Sequence, residues 1–469
     1  MDKEYASYTT VDQKWVERIP SHWEMKRLKG VFAMRKERNN PIQTDFILSL
    51  TAKQGVVPYA EKEGTGGNKP KNDLTQYNIC RENDLLVNCM NVVSGAAGVS
   101  RYYGAISPVY YAFYPREDEN IWYYHYIFRL ITFQRSLIGL GKGILMHESD
   151  EGVLTSVRMR ISMNYLGNVM LPVPPRNEQD QIVKYLNWRV SDINRLISVK
   201  RKELKCIEEL KKTIMKEAVT GKRESHLQES GNDFVGQIPE TWEMWPIKRY
   251  FKIYTGATPK SGNPDFWNGD ICWLTPADYK TLDKYVSSGR KSITEEGYRS
   301  CGTTLVPAGS LIFSKRAPVG TVAISKNEVC TSQGCLSCVP KTNDDIEYLY
   351  YVFVSLTEMF DIVSVGSTFK EIATVVFSNL KIPHPPIEKQ REIVRELNHC
   401  FSELDSLITV KQKQIEELED LKARIISDVV TGKIDVRNIV IPEYEYVEEE
   451  SDGETEIDLD VDESDEQED

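Results

Sequence analysis

Two stretches of the chain place apolar side chains at alternating intervals of three and four residues, which is the spacing of a heptad seam. Each stretch follows a proline pair and ends just before a glycine, Gly221 or Gly432, as expected for the two limits of a helix. The pattern predicts two helices of about 44 residues, each about 65 Å long. The side chains predicted to pack in this seam are Leu186, Ile193, Ile197, Leu204, Ile207, Ile214, Leu397, Leu404, Ile408, Ile415, Leu418 and Ile425.

The two stretches belong to a larger internal repeat. LPVPPRNEQDQIVKYLN from Leu171 and IPHPPIEKQREIVRELN from Ile382 align at an offset of 211 residues, and the same offset places LISVK on LITVK and AVTGK on VVTGK. Nearer the start of each half, IPSHWEM at 19–25 aligns with IPETWEM at 238–244. The chain is therefore predicted to contain one unit written twice.

Lysines interrupt both seams at equivalent places, Lys200 with Lys411 and Lys211 with Lys422. A lysine in a seam lowers stability but disfavours wrong registers and oligomers. Two helices of this length either dock separately on their own domains or pair with each other. The duplication favours pairing as an antiparallel coiled coil, which would relate the two halves by a pseudo-two-fold axis.

The stretches before the long helices have the pattern of small mixed domains. Runs such as DLLVN, SLIFSK and TVAIS predict short strands, and the aromatic-rich segments 121–130 and 347–356 predict buried helices. The predicted fold class is α+β, with two tandem mixed α/β domains, each followed by a long helix. The predicted boundaries are an N-terminal segment (1–18), a first domain (19–175), a central helix (176–222), a linker (223–237), a second domain (238–386), a distal helix (387–440) and a disordered acidic tail (441–469).

The net charge of −12 is unevenly distributed along the chain. Residues 443–469 contain 16 acidic residues and no Lys or Arg, so residues 1–442 hold 58 basic residues against 70 − 16 = 54 acidic ones. Such an acidic end is predicted to be solvated. The start of the chain is polar and no run of about 18 apolar residues occurs, which predicts a cytoplasmic protein.

The sequence shows none of the constellations that catalysis or metal binding would need. Cys335 and Cys338 have metal-like spacing, with Cys330 nearby, but no second pair or neighbouring histidine completes a zinc site. GLGKGI and VTGK lack the remainder of a P-loop, and Asn263-Pro264-Asp265-Phe266 departs from the Asn-Pro-Pro-aromatic motif of adenine methyltransferases. We therefore expect a chain that is not an enzyme by itself and that binds no metal or cofactor.

The motifs taken together resemble the specificity subunit of type I restriction-modification systems. The resemblance runs from Ile19 to Lys433 and rests on the paired IPxxWE openings, TPKSGNPDFWNGDICWLTPADY, VPAGSLIFSKRAPVGTVAI, GSTFKEI, the helix openings PPRNEQ and PPIEKQ, and the ends VTGK. It implies two target recognition domains, each reading half of a bipartite site in double-stranded DNA. It also implies an antiparallel coiled coil that sets the spacer and docks two modification subunits, with restriction subunits in the full complex. S-adenosylmethionine would then bind the modification subunit, and ATP and Mg the restriction subunit.

DNA contacts are expected in glycine-flanked basic loops, since Lys and Arg bind phosphates while amides and Arg read base edges. The residues predicted to bind DNA are Asn88, Asn91, Arg101, Lys142, Lys260, Ser261, Asn263, Lys315, Arg316 and Lys370. In the first domain GLGKGILMHESDEG replaces the simpler GSTFKE pattern of the second. The rival interpretation is an orphan coiled-coil scaffold or regulator of such complexes, without sequence specificity of its own.

Overall fold

The computed structural model describes residues 4–52, 54–62, 70–143, 147–148, 154–155, 159–280, 283–316, 318–365 and 370–448. The chain divides into two compact units. The first unit comprises residues 1–201 and 413–469, and the second comprises residues 202–412. The division falls inside both long helices, so each unit contains one domain with a stretch of each helix.

The first unit is built on a four-stranded antiparallel sheet in the order Phe32–Met34, Tyr110–Pro115, Leu85–Asn88, Ala97–Val99. Two-stranded antiparallel ladders surround it: Tyr8–Gln13 with Val16–Pro20, Glu24–Arg27 with Met170–Val173, Leu48–Thr51 with Gly55–Pro58, Asn78–Cys80 with Gly104–Ile106, Lys142–Gly143 with Met159–Arg160, and His147–Glu148 with Leu154–Thr155. The short helices are Leu28–Val31, Ile121–Phe128, Ile131–Ser136 and Met163–Leu166. The aromatic helix Ile121–Phe128 buries Tyr123, Tyr124 and Phe128 completely, which confirms the predicted buried helix.

The second unit has a five-stranded sheet in the order Phe251–Thr255, Cys335–Pro340, Leu311–Ser314, Val322–Ser325, Tyr285–Val286. A three-stranded sheet follows the order Lys291–Ile293, Trp267–Leu274, Cys330–Thr331, and two ladders join Leu227–Glu229 with Gln237–Pro239 and Glu243–Pro246 with Lys381–His384. The short helices are Ile247–Tyr250, Glu295–Arg299, Ile346–Ser355, Thr357–Ile362 and Thr374–Asn379. The helix Ile346–Ser355 is again the buried aromatic one.

The central helix spans Arg176–Thr220 and the distal helix spans Ile387–Val430. Within the first unit, the side chains of Asn194 and Arg201 of the central helix contact Lys422 and Glu419 of the distal helix. Within the second unit, Glu203 pairs with Lys411 at 2.7 Å and Lys211 with Asp405 at 2.5 Å. The residue numbers rise on one helix as they fall on the other in both units, so the two helices pack antiparallel, as predicted.

The heptad pattern identified the packed face of both helices correctly. Leu186, Ile193, Ile197 and Leu397 are buried. The other eight predicted seam residues are half-buried. The interrupting lysines Lys211, Lys411 and Lys422 reach a polar partner on the opposite helix. Because a polar partner meets each of these lysines inside the seam, the interruption is compatible with a close helix pair.

The repeated PPxxxQ motif fixes the beginning of each long helix to the domain before it. Gln179 donates to the carbonyl of Pro174 at 2.8 Å and accepts from the backbone N–H of Asn120 at 2.7 Å. Gln390 donates to Pro385 at 3.0 Å and accepts from Asp345 at 2.9 Å. Asn120 and Asp345 are the N-cap residues of the two aromatic helices. In each unit, the glutamine side chain therefore joins the start of a long helix to the start of the aromatic helix.

The end of each long helix is bound by the domain of the unit in which that end lies. The hydroxyl of Tyr123 donates to the carbonyl of Val430 at 2.9 Å, and the hydroxyl of Tyr348 donates to that of Val219 at 3.2 Å. Each helix then stops at a glycine with positive φ, +69° for Gly221 and +73° for Gly432. A Cβ on Gly432 would lie 2.4 Å from Pro20, and one on Gly221 would lie 2.6 Å from Pro239. The repeated IPxxWE and VTGK motifs therefore build a common frame.

The boundaries of three predicted segments differ in the structure. The distal helix ends at Val430 and not at 440, because Gly432 adopts the left-handed conformation that stops it. The predicted N-terminal segment forms the ladder Tyr8–Gln13 with Val16–Pro20, and the predicted linker supplies the strand Leu227–Glu229. No helix in the described part of the chain combines the length and apolar character that a membrane span requires.

Candidate nucleic-acid interface

In the second unit, the loop that contains Lys260, Ser261 and Asn263 is held in place by close backbone packing. Its first residue, Gly256, packs so tightly that a Cβ there would lie 2.2 Å from the carbonyl oxygen of Thr331. Lys260 and Ser261 are exposed. Asn263 is half-buried and its side chain accepts from the N–H of Asp265 at 3.2 Å, which caps a short 3₁₀ turn. The loop thus presents one cation and one hydroxyl, while the asparagine forms the turn.

Lys315 and Arg316 share a single carboxylate. Lys315 Nζ lies 2.8 Å from Oε1 of Glu371, and Arg316 Nε lies 2.9 Å from its Oε2. Hydrogen bonding from Lys315, with a further contribution from Arg316, lowers the pKa of Glu371 and keeps it ionised. Lys315 is 9% exposed, whereas the side chain of Arg316 is 47% exposed. Arg316 is therefore the member of this pair that can reach a ligand without a rearrangement of the backbone.

Lys370 lies beside Glu371 in the chain and pairs with Asp361 at 2.6 Å. The preceding residues of the GSTFKEI motif, 366–369, lie outside the described residues. The segments around Arg316 and Glu371 form a backbone bridge, and Ile372 donates to the carbonyl of Lys315 at 3.0 Å. The structure therefore brings Lys315, Arg316 and Lys370 together.

A fourth segment, residues 331–334, connects this cluster to the loop at 256–263. Ala257 donates to the carbonyl of Thr331 at 2.9 Å, and Lys315 donates to that of Gly334 at 2.9 Å. The exposed amide of Gln333 accepts a hydrogen bond from the hydroxyl of Thr258. We call the surface formed by residues 257–263, 315–316, 331–334 and 370–371 the basic edge of the second unit. Gln333 was missed by the sequence reasoning, since it carries no charge and stands in no glycine-flanked basic loop.

An aromatic side chain beside the basic edge was also missed. Trp267 is half-buried, donates weakly to the carbonyl of Lys260 at 3.4 Å and lies under Lys291, whose Nζ is 5.2 Å from the ring centroid. An exposed cation over an indole ring is attracted to the face of the ring. This residue could have been predicted from the sequence WNGD, in which a tryptophan precedes a predicted turn.

In the first unit, Arg101 is the exposed cation among the predicted residues whose side chains are described. It follows the strand Ala97–Val99 and lies 2.7 Å from the Oε1 atom of Glu448, close to the C-terminal end of the described chain. The side chains of Arg101 and Glu448 are 58% and 63% exposed. The hydrogen bond to Glu448 raises the pKa of Arg101, so the guanidinium stays charged.

The other predicted residues of the first unit are placed differently. Asn88 is 3% exposed, and its Oδ1 accepts from the N–H of Met90 at 3.0 Å, so it stabilises a turn. Asn91 is half-buried at the start of the 3₁₀ turn Val92–Ser94. Lys142 begins the short strand Lys142–Gly143, and its side chain lies outside the described residues. Contact of these residues with DNA stays a prediction, and the burial of Asn88 favours a role in the turn.

The chemistry available at these surfaces is that of binding. Exposed Lys and Arg provide attraction to phosphate, and exposed amides and hydroxyls provide hydrogen bonds to base edges. Among the described residues, no group of three or more His, Cys, Asp and Glu side chains is arranged to hold a metal ion. The pKa of the Cys335 thiol is raised to about 11 by burial, so this thiol is protonated near neutral pH.

Comparison with known proteins gives a consistent result. The family model of the type I restriction modification DNA specificity domain matches residues 20–206 and 239–420. The chain is 36% identical over 197 residues to the type I restriction enzyme MjaIX specificity subunit of Methanocaldococcus jannaschii, a stretch that covers 41% of this chain and 45% of that protein. It is 25% identical over 447 residues to the MjaVIII specificity subunit of the same organism, covering 90% and 95% of the two chains. This chain is also similar to a solved structure from work on complex assembly and conformational transition of the type I R-M system. The two superpose with a TM-score of 0.66 at 17% identity, covering 89% of this chain and 99% of that one.

Proposed function

We propose, from the premise that this chain belongs to the family of type I restriction modification DNA specificity domains, that its two domains read the two halves of one bipartite DNA site. In this proposal the target recognition domains are residues 19–175 and 238–386, and the paired helices set the number of unread base pairs between the half-sites. The chain has no catalytic role of its own. It directs the adenine methylation and cleavage that partner subunits carry out.

The observation that carries this proposal is the contrast between a shared frame and unlike recognition surfaces. Gln179 and Gln390, Tyr123 and Tyr348, and Gly221 and Gly432 make equivalent contacts in the two units. The exposed groups at the candidate reading surfaces differ, with Arg101 in one unit and Lys260, Arg316 and Gln333 in the other. A duplicated frame that carries different polar surfaces suits a protein that reads two different short sequences.

Two copies of one partner are supported by an apolar pair that occurs on both long helices. Leu196 and Val199 are 50% and 46% exposed on the central helix, and their equivalents Leu407 and Val410 are 41% and 52% exposed on the distal helix. Apolar side chains exposed at equivalent positions offer the same contact twice. We assign these pairs to the docking of two modification subunits, one on each pair.

The remaining partners follow from the same proposal. Restriction subunits join the full complex, S-adenosylmethionine binds the modification subunits, and ATP and Mg bind the restriction subunits. The substrate is double-stranded DNA, and the complex acts in the cytoplasm. The described surface of this chain provides cations for phosphates and amides for bases, in keeping with a subunit that binds DNA and leaves the chemistry to its partners.

The proposal is tested by exchange of one domain. Residues 19–170 are replaced by the corresponding domain of another specificity subunit, and the chain is co-expressed with its modification subunit. Methylated adenines are then mapped by long-read sequencing. We expect a discontinuous site in which one half-site changes and the other half-site and the spacer stay the same. A change in both half-sites would contradict independent reading, and binding to all sequences alike would favour the orphan scaffold.

A further inference from the structure

The last described residues of the chain run along the central helix of the first unit and are fixed to it by hydrogen bonds. We call residues 443–448 the anchored segment. Ser191 is 1% exposed, and its hydroxyl donates to the carbonyl of Glu445 at 2.9 Å and accepts from the N–H of Val447 at 2.8 Å. The Asn194 amide donates to the carbonyl of Val447 at 3.1 Å. A buried hydroxyl that donates and accepts on one extended segment holds that segment in a defined place.

The approach to this segment is fixed as well. The side chain of Gln181, which lies nearer the start of the central helix than Ser191, donates to the carbonyls of Val436 and Ile439 at 3.1 and 2.8 Å. Arg195 donates to the carbonyl of Glu445 at 3.2 Å. The chain therefore follows the central helix from its first turns to its middle, and the carboxylate of Glu448 is held at one position on the first unit.

That position is occupied by a residue predicted to bind DNA. Glu448 ends the anchored segment, and its carboxylate lies 2.7 Å from the guanidinium of Arg101. A carboxylate and a phosphate both accept hydrogen bonds from the N–H groups of a guanidinium, so the two ligands compete for the same side chain. In the sequence, 16 acidic residues with no Lys or Arg occur between 443 and 469, so the negative charge begins at the anchored segment and continues to the end of the chain.

We infer that the anchored segment is an internal competitor of DNA phosphates, which occupies Arg101 through Glu448 and thereby weakens non-specific DNA binding by the first unit. This inference rests on the proposed function, since it takes Arg101 as a phosphate contact. A cognate site displaces Glu448 because base contacts elsewhere in the complex add to its affinity. A non-cognate duplex has only the phosphate contacts and competes poorly with a carboxylate that is already held in place.

The test measures the affinity of the full chain, assembled with its modification subunits, for a cognate duplex and for a non-cognate duplex over a range of salt concentrations. Glu448→Gln removes the carboxylate at Arg101. Glu443→Gln is the matched control, because Glu443 is exposed and makes no ion pair within the described residues. Ser191→Ala removes two of the hydrogen bonds that hold the anchored segment and leaves every charge unchanged.

We expect Glu448→Gln and Ser191→Ala each to tighten non-cognate binding about two- to fivefold, the range of one exposed ion pair, and Glu443→Gln to leave it nearly unchanged. Adding Arg101→Gln to Glu448→Gln should abolish this increase in affinity for the non-cognate duplex. Equal effects of Glu448→Gln and Glu443→Gln, with Ser191→Ala like the wild type, would overturn the inference and leave only the overall charge of the tail. A complex that prefers no discontinuous site in any variant would instead refute the proposed function, so the two failures are distinguishable.

Discussion

At the scale of single residues, the sequence located the basic groups but not their partners. Lys315 and Arg316 were predicted to bind DNA, and in the structure both bind Glu371, which lies 55 residues from Arg316 in the chain. Asn88 was predicted to bind DNA from a glycine-flanked loop and is buried in a turn. Local patterns identify turn-forming residues, but an ion pair between distant segments depends on the tertiary structure, which a pattern of residue types does not contain.

Arg316 is an exposed cation of the basic edge and can bind a phosphate. Its replacement by Ala removes one cation, and we expect weaker binding to cognate and non-cognate duplexes alike, with a salt dependence lower by about 0.9 in slope. Binding isotherms at several salt concentrations measure this. Arg391→Ala is the control, since Arg391 also pairs with a glutamate, and its side chain is 54% exposed on the distal helix. Equal losses in both variants would show that only the total charge matters.

At the scale of elements, the heptad pattern was sufficient to place both long helices and their packed faces. Every one of the twelve predicted seam residues is buried or half-buried, and Gly221 and Gly432 were correctly identified as helix ends. What the pattern did not contain is the division of each helix between two units. A seam specifies that a helix has a partner, while the hydrogen bonds from Tyr123 and Tyr348 determine which domain holds which helix end.

Two leucines of the central helix separate stability from partner binding. Leu186 is fully buried, so Leu186→Ala should lower the free energy of unfolding of the first unit by about 2 to 5 kcal/mol. Leu196 is 50% exposed, so the same substitution there should change stability by less than about 0.5 kcal/mol. Leu196→Ala should instead weaken assembly with the modification subunit. Denaturant unfolding and sedimentation of the reconstituted complex measure the two effects, and a large loss of stability in Leu196→Ala would contradict its assignment to docking.

At the scale of the whole molecule, the duplication accounts for the organisation of the chain. The repeated motifs join each domain to the start of one long helix and to the end of the other. The contacts of Gln179, Gln390, Gly221 and Gly432 show this. The parts that differ carry the exposed polar groups of the reading loops. The family could be identified from the order of these motifs, but the bases that each domain reads could not, because recognition depends on a few side chains in loops that the repeat does not constrain.

The central claim is that paired helices determine the distance between two half-sites. The most direct measurement adds one heptad to both helices, after Arg201 and after Gln412, and maps methylated adenines in cells that also produce the modification subunit. Seven added residues lengthen each helix by about 10.5 Å, which corresponds to about three base pairs of duplex. We expect both half-sites to stay unchanged and the unread spacer to grow by about three base pairs. Full activity on the original site, with its original spacer, would contradict the central claim.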